Sequence, residues 1–365
     1  MPCPGNCDRK SSTLRILIPI RPSPFGAVSG GRGSAVRDRF NRDINYLRIS
    51  VTDRCNLRCV YCMPKEGLSL IGHDDILRYE EFVRIVRIAV RMGLGKVRVT
   101  GGEPLVRKGL ADFIASLRKI EGLNDIGLTT NGILLESMAP SLYEAGLRRI
   151  NISLDSLNPE KYSRLTRGGS LDAVIRGIRK ARECGFVPIK LNVVALKGLN
   201  DEELHDFAAL SLERPYQIRF IELMPLGQAG QENDGNFLSN DDIRRRINDR
   251  YPLEAVNAPR NPQDGPAAVY RIPGGQGEIG FISPVTHHFC RSCNRLRLTA
   301  DGHLRSCLLK DDEVDLKRPL REGCDDGELE ALIRKAIANK PLQHEISCGQ
   351  TQLKKCARDM SEIGG

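Results

Sequence analysis

Short apolar stretches of this 365-residue chain alternate with segments of helical periodicity, and this alternation constrains the fold more than any other feature. The predicted strands cover residues 46–51, 97–100, 126–130, 149–154, 189–196 and 217–223, and the predicted helices between them cover 79–92, 110–120, 135–145, 171–184 and 202–212. Strands that alternate with helices form a parallel sheet with right-handed crossovers. Six such units are too few for a full eight-stranded barrel. We therefore expect an α/β fold, either an incomplete barrel or an open doubly wound sheet.

The motifs that could carry chemistry lie at or just beyond the carboxyl ends of these predicted strands. They are a cysteine-rich loop after the first strand, Gly101-Gly102-Glu103-Pro104, residues 129–132, residues 153–155 and Met224. Active sites of parallel α/β folds lie at this edge of the sheet. The agreement among several strands indicates one shared site.

The cysteine-rich loop contains Cys55, Cys59 and Cys62 in a C-x3-C-x2-C spacing, with Tyr61 before the last cysteine. Cysteine thiolates are the usual ligands of iron–sulfur clusters, and a cubane normally takes four of them. Three ligands would leave one iron open to a small molecule, which favours a reactive site. A zinc ion with a distant fourth ligand, or buried thiols without a metal, remain alternatives.

A second group of three cysteines, Cys290, Cys293 and Cys307, lies near the other end of the chain. It also lacks a fourth thiol, which favours a second cluster that has one iron open to a ligand. Nearby imidazoles could instead complete a zinc site, and they belong to His287, His288 and His303.

Basic residues accompany both cysteine groups. Arg295 and Arg297 alternate along a predicted strand, so their guanidinium groups point to the same side. Arg98 and Lys190 lie on other strands and could point inward, which is costly unless an anion pairs with them. Forked hydrogen bonds from arginine suit phosphate. The pattern favours a phosphorylated ligand over a solvated strand face.

Composition bounds the class of protein. The formal net charge is +9 and the pI is about 9.0, which suits an anionic partner. Six of the twelve cysteines fall into two clusters, which fits metal binding in a reducing compartment better than a disulfide framework. No apolar run approaches the length of a membrane span. We expect a disordered or targeting arm in residues 1–42, a partial barrel in 43–227 and a C-terminal domain in 228–365.

The two cysteine groups, the Gly-Gly-Glu-Pro motif, the Cys-x2-Cys-Asn-Arg-Leu-Arg run and the Gly364-Gly365 terminus together resemble one family. The first group and Gly-Gly-Glu-Pro look like the radical S-adenosylmethionine superfamily. The second group and the terminal glycines are similar to the GTP 3′,8-cyclases, which catalyse the first step of molybdenum cofactor biosynthesis. The resemblance runs from about Asn45 to the end of the chain.

The resemblance implies an incomplete TIM-type (β/α)6 barrel with a C-terminal extension that carries a second cluster. It implies two [4Fe–4S] clusters, one held by Cys55, Cys59 and Cys62 and one by Cys290, Cys293 and Cys307. The residues implied for S-adenosylmethionine are Tyr61, Gly102, Ser153 and Met224. Those implied for GTP are Arg48, Arg98, Thr129, Lys190, Arg295, Leu296 and Arg297. Those implied in catalysis are Arg295, Arg297, Gly364 and Gly365.

The implied reaction is that of a lyase that converts GTP to (8S)-3′,8-cyclo-7,8-dihydroguanosine 5′-triphosphate. A 5′-deoxyadenosyl radical would take the C3′ hydrogen, and the carbon radical would attack C8 of the purine. The implied partners are a reductase or flavodoxin-type electron donor and a cyclic pyranopterin monophosphate synthase that receives the product. A homodimer is compatible with the resemblance, and neither nucleic acid nor membrane is expected. The expected location is the cytoplasm, or the mitochondrial matrix if the arm is a transit peptide.

Two alternative hypotheses assign the motifs to other kinds of protein. A radical enzyme that modifies a peptide would carry a cysteine-rich tail, but such tails bring more cysteines. A basic iron–sulfur or zinc regulator of nucleic acid would suit the net charge, but the chain has no recognition-helix motif or continuous basic stripe.

Overall fold

The computed structural model describes residues 36–256, 265–345, 356 and 358–364. Its strands are β1 (Tyr46–Ser50), β2 (Lys96–Thr100), β3 (Asp125–Thr130), β4 (Arg149–Ser153), β5 (Ile189–Val194), β6 (Tyr216–Ile221), β7 (Glu254–Ala255), β8 (Ala268–Arg271), β9 (Glu278–Ile282), β10 (Arg295–Leu298), β11 (His303–Arg305) and β12 (Glu313–Asp315). Its α-helices are α1 (Tyr79–Arg91), α2 (Leu110–Arg118), α3 (Leu135–Glu144), α4 (Pro159–Thr166), α5 (Leu171–Cys184), α6 (Leu204–Glu213), α7 (Gly227–Glu232), α8 (Asn240–Arg250), α9 (Lys317–Arg321), α10 (Asp326–Ala338) and α11 (Met360–Ile363).

The predicted α/β class is confirmed. The strands form one sheet in the order β12-β11-β10-β1-β2-β3-β4-β5-β6-β9-β8-β7. Strands β1 to β6 are parallel and follow one another in chain order. A doubly wound sheet reverses its strand order at a switch point, so the doubly wound alternative is wrong.

The C-terminal residues extend the same sheet at both edges. Strand β10 pairs with β1 and strand β9 pairs with β6, in both cases parallel. Antiparallel hairpins then flank the sheet, β10 to β12 on one side and β7 to β9 on the other. Strands β10 and β11 form an antiparallel hairpin shortly after Cys293, with its turn at Gly302, whose φ is +85°. All described residues belong to one compact unit.

The two faces of the parallel strands differ in chemistry, and this difference creates the site. One face carries Leu47, Ile49, Val97, Val99, Leu128, Ile150 and Ile152, which are buried in the core with the helices. The positions between them are mostly polar or charged. Parallel strands covered on both faces are usually apolar throughout. The alternation therefore indicates a polar inner surface.

Part of the predicted N-terminal arm, residues 1–35, lies outside the described residues. From residue 36 the chain is ordered against the rest of the unit. Arg42 is buried and pairs with Asp38, and Arg37 bridges to Asp43. Within the described ranges, none of the helices has both the length and the apolar character needed to span a membrane.

Candidate active site

The polar face of the sheet lines a cavity of about 340 Å³ at the carboxyl ends of the parallel strands. Both cysteine groups open into it. The predicted site residues that line it are Arg48, Cys55, Cys59, Tyr61, Cys62, Arg98, Gly102, Thr129, Ser153, Lys190, Met224, Cys290, Cys293, Arg295, Arg297 and Cys307. Residues that lie 260 positions apart in the chain thus share one wall, because β10 pairs with β1.

Three arginines lie side by side across neighbouring strands. In the sheet register, Arg48 is opposite Arg297 on one side and opposite Arg98 on the other. The next position in this row is Gly127. A Cβ atom at Gly127 would lie 2.7 Å from the Arg98 Cζ atom, so only glycine leaves room for the guanidinium.

The cations of the cavity disfavour one another's charged forms. Burial, together with the charges of Arg219, Arg149 and Arg98, lowers the pKa of Lys190 to about 6. Burial and the neighbouring Arg98 likewise lower the pKa of Arg219 to about 9. Such a concentration of buried positive charge is costly without a counterion. The cavity is therefore suited to a ligand with several negative charges.

The same cations act on a tyrosine at the bottom of the cavity. Burial alone would raise the pKa of Tyr46, but the charges of Arg98, Arg48 and Lys96 outweigh burial and lower it to about 7. Buried polar atoms in the wall without a hydrogen-bond partner in the described part of the chain include Arg98 Nε, Thr129 Oγ1 and Asn192 Oδ1. Buried polar atoms are normally paired, so these atoms indicate groups that a ligand would satisfy.

The first cysteine group is held in a tight loop between β1 and α1. The Cys62 N–H donates to the Cys59 carbonyl over 2.9 Å, and the Tyr61 hydroxyl donates to the Asp155 carboxylate over 2.6 Å. Asp155 follows β4, so this bond ties the loop to the sheet. All three thiols are free, and burial raises the pKa of Cys55 to about 11 and that of Cys62 to about 12. Thiolates in such a site need a positively charged partner, which cluster iron would supply.

The Gly101-Gly102 pair supports this loop from below. A Cβ atom at Gly102 would lie 2.6 Å from the carbonyl oxygens of Asp53 and Arg54, immediately before Cys55. The Gly102 N–H donates to the Thr52 carbonyl over 2.7 Å. The glycines therefore allow two backbone segments to meet, in addition to lining the cavity.

Glu103 organises the neighbouring strand end. Its buried carboxylate accepts hydrogen bonds from the Leu105 N–H, the Thr130 hydroxyl and the Asn131 N–H. Burial raises the pKa of Glu103 to about 7 despite these bonds. The Glu103 carboxylate thus binds protein groups at this strand end.

The second cysteine group lies in more positive surroundings. Burial would raise the pKa of Cys293, but the charges of Arg295 and Lys340 lower it to about 6. Two of the imidazoles considered for a zinc site are engaged elsewhere, since His287 contacts Asp241 at 2.6 Å and His303 contacts Asp301 at 3.2 Å.

The spacing of the thiols bears on the kind of metal group. Across the described ranges, no three His, Cys, Asp or Glu side chains converge closely enough to hold a metal ion. A single zinc ion needs four ligands within about 2.3 Å of one point. The three thiols of each group are free and line the same cavity.

The C-terminal residues reach the same cavity. Arg297 Nη1 donates to the Gly364 carbonyl over 2.7 Å, and Met360 lines the cavity. Gly364 has a φ of +85°, and a Cβ atom there would lie 2.8 Å from Thr100 Cγ2. Gly365 lies outside the described residues.

One predicted contact is placed differently. The Leu296 side chain is fully buried in the hydrophobic core, because it alternates with Arg295 and Arg297 along β10. Only its backbone could contact a ligand in the cavity.

Several cavity residues were not singled out from the sequence, namely Tyr46, Lys96, Arg149, Asn151, Asn192, Arg219 and Lys340. All but Lys340 occupy polar positions of the alternating strands, and all of these except Arg219 lie two residues from one another or from a predicted contact. That alternation is the signal that would have found them. Lys340 follows α10 and has no local signal.

Comparison with known proteins places the chain in a family. Residues 49–210 match the model of the Radical SAM superfamily, and residues 216–346 match that of Molybdenum Cofactor Synthesis C. A protein of Moorella thermoacetica named GTP 3′,8-cyclase is 50% identical over 330 residues, which are 90% of this chain and 100% of that protein. A GTP 3′,8-cyclase of Thermodesulfovibrio yellowstonii is 49% identical over 90% of this chain and 100% of its own length.

Among solved structures, Streptococcus suis SuiB bound to S-adenosylmethionine aligns over 80% of this chain and 67% of its own, with a TM-score of 0.51. At 16% identity, that likeness concerns the fold alone. The resemblance inferred from the two cysteine groups is confirmed by the family matches. The chain belongs to the GTP 3′,8-cyclase family of the radical S-adenosylmethionine superfamily.

Proposed function

We propose that this protein is the GTP 3′,8-cyclase of its cell and catalyses the first step of molybdenum cofactor biosynthesis. The observation that carries the proposal is the single cavity in which two three-cysteine groups face a row of inward arginines. The cysteines suit open-iron clusters, and the cations suit a triphosphate. Family membership supplies the identity of the substrate.

The fold that we propose for the first part of the chain is an incomplete (β/α)6 barrel. The sequential order of β1 to β6, with helices between them, supports it. We keep 43–227 as the barrel segment and 228–365 as the C-terminal segment, although strands of the latter extend the same sheet.

Two [4Fe–4S] clusters and S-adenosylmethionine are the proposed cofactors. Cys55, Cys59 and Cys62 would hold the first cluster, and Cys290, Cys293 and Cys307 the second. The first cluster and S-adenosylmethionine would together supply the radical chemistry needed at C3′ of GTP. The proposed contacts of S-adenosylmethionine are Tyr61, Gly102, Ser153 and Met224, all of which line the cavity.

The protein's own groups bind and orient the nucleotide. Arg48, Arg98 and Lys190 lie at the cavity wall and would pair with phosphate oxygens. The unpaired Thr129 hydroxyl offers a further hydrogen bond. Arg295 and Arg297 lie next to the second cysteine group and would position the nucleotide beside it. Gly364, whose carbonyl accepts a hydrogen bond from Arg297, and Gly365 are proposed to take part in catalysis.

The remaining partners follow from the chemistry. Reductive cleavage needs an electron donor, and we propose a reductase or flavodoxin-type protein. The product would pass to a cyclic pyranopterin monophosphate synthase, and the proposed location is the cytoplasm. A homodimer is compatible with this account.

Two variants test the roles proposed for the first cysteine group and for Arg297. Replacing Cys59 with Ala removes a first-cluster ligand, so formation of 5′-deoxyadenosine should be abolished. Replacing Arg297 with Ala should lower kcat/KM for GTP by roughly 100-fold and leave the first cluster and cleavage of S-adenosylmethionine in place. Iron content, 5′-deoxyadenosine and GTP consumption are measured together. Unchanged turnover in both variants would contradict these assignments.

A further inference from the structure

A short segment after α10 crosses the second cysteine group. We call residues 340–344 the strap. Lys340 Nζ donates to the Arg295 carbonyl over 2.8 Å and to the Ser306 carbonyl over 2.6 Å. His344 Nε2 lies 2.9 Å from the Pro284 carbonyl. The strap thus contacts the segment before Cys290, the strand after Cys293 and the residue before Cys307.

The N–H donors of the Lys340 ammonium group have acceptors close to them. An ammonium group has three N–H donors and no acceptor. Two donors are used by the two carbonyls, and the Cys293 side chain is the third polar neighbour of Nζ. The residue is only 2% exposed. A buried cation is costly unless negative charge lies beside it, and thiolates at Cys293 and Cys307 would supply that charge.

Arg42 fixes the backbone of the strap but adds little net charge. Its guanidinium donates to the carbonyls of Pro341, Leu342 and Cys290 over 2.7, 3.1 and 2.8 Å. Asp38, 2.6 Å away, neutralises it. Lys340 forms no such ion pair with a carboxylate in the described part of the chain, so no neighbouring carboxylate neutralises its charge.

The first cysteine group has surroundings of the opposite sign. Asp155 accepts a hydrogen bond from the hydroxyl of Tyr61, the residue before Cys62, over 2.6 Å. Glu103 accepts from the Asn131 N–H over 2.6 Å, and the Asn131 side chain donates to Cys55 Sγ over 3.9 Å. Carboxylates thus lie near the first group, whereas Lys340 and Arg295 lie near the second.

We propose that Lys340 is a positioning residue of the second cysteine group, and that its ammonium makes a cluster held there easier to reduce than the cluster of the first group. This inference rests on the proposed function, which places a cluster at each group. Net charge and hydrogen bonds to the sulfurs set the potentials of iron–sulfur clusters. One electron enters the cluster from the reductant that the proposed reaction already uses, and the nearby cation stabilises the added negative charge.

The test compares four forms of the full-length protein after anaerobic loading with iron and sulfide. Lys340→Gln keeps amide donors for the carbonyls but removes the charge, and Lys340→Arg keeps the charge. Lys335→Gln is the matched control, since Lys335 is exposed on α10. Each form is titrated potentiometrically and followed by electron paramagnetic resonance. The signal that changes on addition of S-adenosylmethionine belongs to the first group, so the two clusters are distinguished.

In Lys340→Gln, we expect the equilibrium constant for reduction of the second cluster to fall at least tenfold. For one electron, this corresponds to a midpoint potential that is lower by 59 mV. The first cluster should be unchanged, and Lys340→Arg and Lys335→Gln should resemble the wild type. Loss of the second cluster in Lys340→Gln, with recovery in Lys340→Arg, would also support the role. A fully loaded Lys340→Gln protein with an unchanged second potential would overturn it. A wild-type protein that holds only one cluster would instead contradict the proposed function.

Discussion

Individual cations in the cavity wall have more positive than negative neighbours, and Lys190 is the clearest case. It lies on β5, and its pKa is lowered to about 6 by burial and by three neighbouring arginines. At pH 7 the free protein therefore carries this lysine mostly neutral. A bound triphosphate would offset the positive field and restore the proton.

This predicts proton uptake when GTP binds. Above a pH of about 6 the free protein lacks the proton that the complex holds, so uptake is positive and affinity falls as pH rises. Calorimetry of GTP binding in buffers of different ionisation enthalpy measures it. Lys190→Met should take up about one proton less than the wild type, while Lys197→Met, an exposed control, should not differ. Equal uptake in Lys190→Met and the wild type would show that Lys190 is already charged in the free protein.

A second prediction at this scale concerns Gly127. A Cβ atom there would displace the Arg98 guanidinium, whose flexible side chain can move without unfolding the sheet. Gly127→Ala should therefore raise KM for GTP by about tenfold, the effect of a weakened charged hydrogen bond, with little change in melting temperature. Gly235→Ala is the control, because a Cβ atom at Gly235 meets nothing within 4 Å. If KM for GTP is the same in both variants, the position of Arg98 does not matter for binding.

A single site residue could be predicted from the sequence only where the pattern that identifies it lies close to it in the chain. Arg297 was found because it alternates with Arg295 beside two cysteines. Arg149 and Arg219 were missed, although their strands show the same polar alternation. The role of Glu103 could not be read from the sequence, because its three donors come from two different loops.

At the scale of elements, Arg358 ties the segment before the C-terminal helix α11 to the hairpin of β10 to β12. Arg358 Nη2 donates to the carboxylates of Asp301 and Glu313, both at 2.9 Å. This contact brings Gly364 against Arg297 in the cavity. Ser361 and Ile363 are also buried, and Arg297 bonds the Gly364 carbonyl.

Arg358→Ala should therefore release the C-terminal residues from the cavity. We expect kcat for GTP cyclisation to fall by roughly 100-fold, since small displacements of catalytic groups have effects of that size. KM for S-adenosylmethionine should not change. Arg334→Ala, which removes an exposed pair with Glu330 on α10, is the control. A normal kcat in Arg358→Ala would show that the contact does not position the terminus.

The elements themselves were largely predictable, because periodicity and glycine stops are local signals. Helix α4 was missed even though Asn158 caps it and Pro159 occupies its first turn. Helix α8 was missed because it is short of apolar residues and rich in charge. The pairing of β10 with β1 could not be predicted, since it depends on contacts between distant parts of the chain.

At the scale of the whole molecule, that pairing produces the active site. Strands β9 and β10 extend the parallel strands at both edges. The second cysteine group therefore lines the same cavity as the first. The predicted division near residue 227 marks a change in sequence pattern. In three dimensions the two segments share one sheet, so neither forms the cavity alone.

The central claim is that this cavity joins cleavage of S-adenosylmethionine to cyclisation of GTP. The most direct test is anaerobic: the loaded protein is mixed with dithionite, S-adenosylmethionine and GTP, and 5′-deoxyadenosine and cyclised GTP are quantified. The account predicts both products in similar amounts, with 5′-deoxyadenosine dependent on GTP. 5′-Deoxyadenosine without consumption of GTP, or neither product from protein with intact clusters, would contradict it.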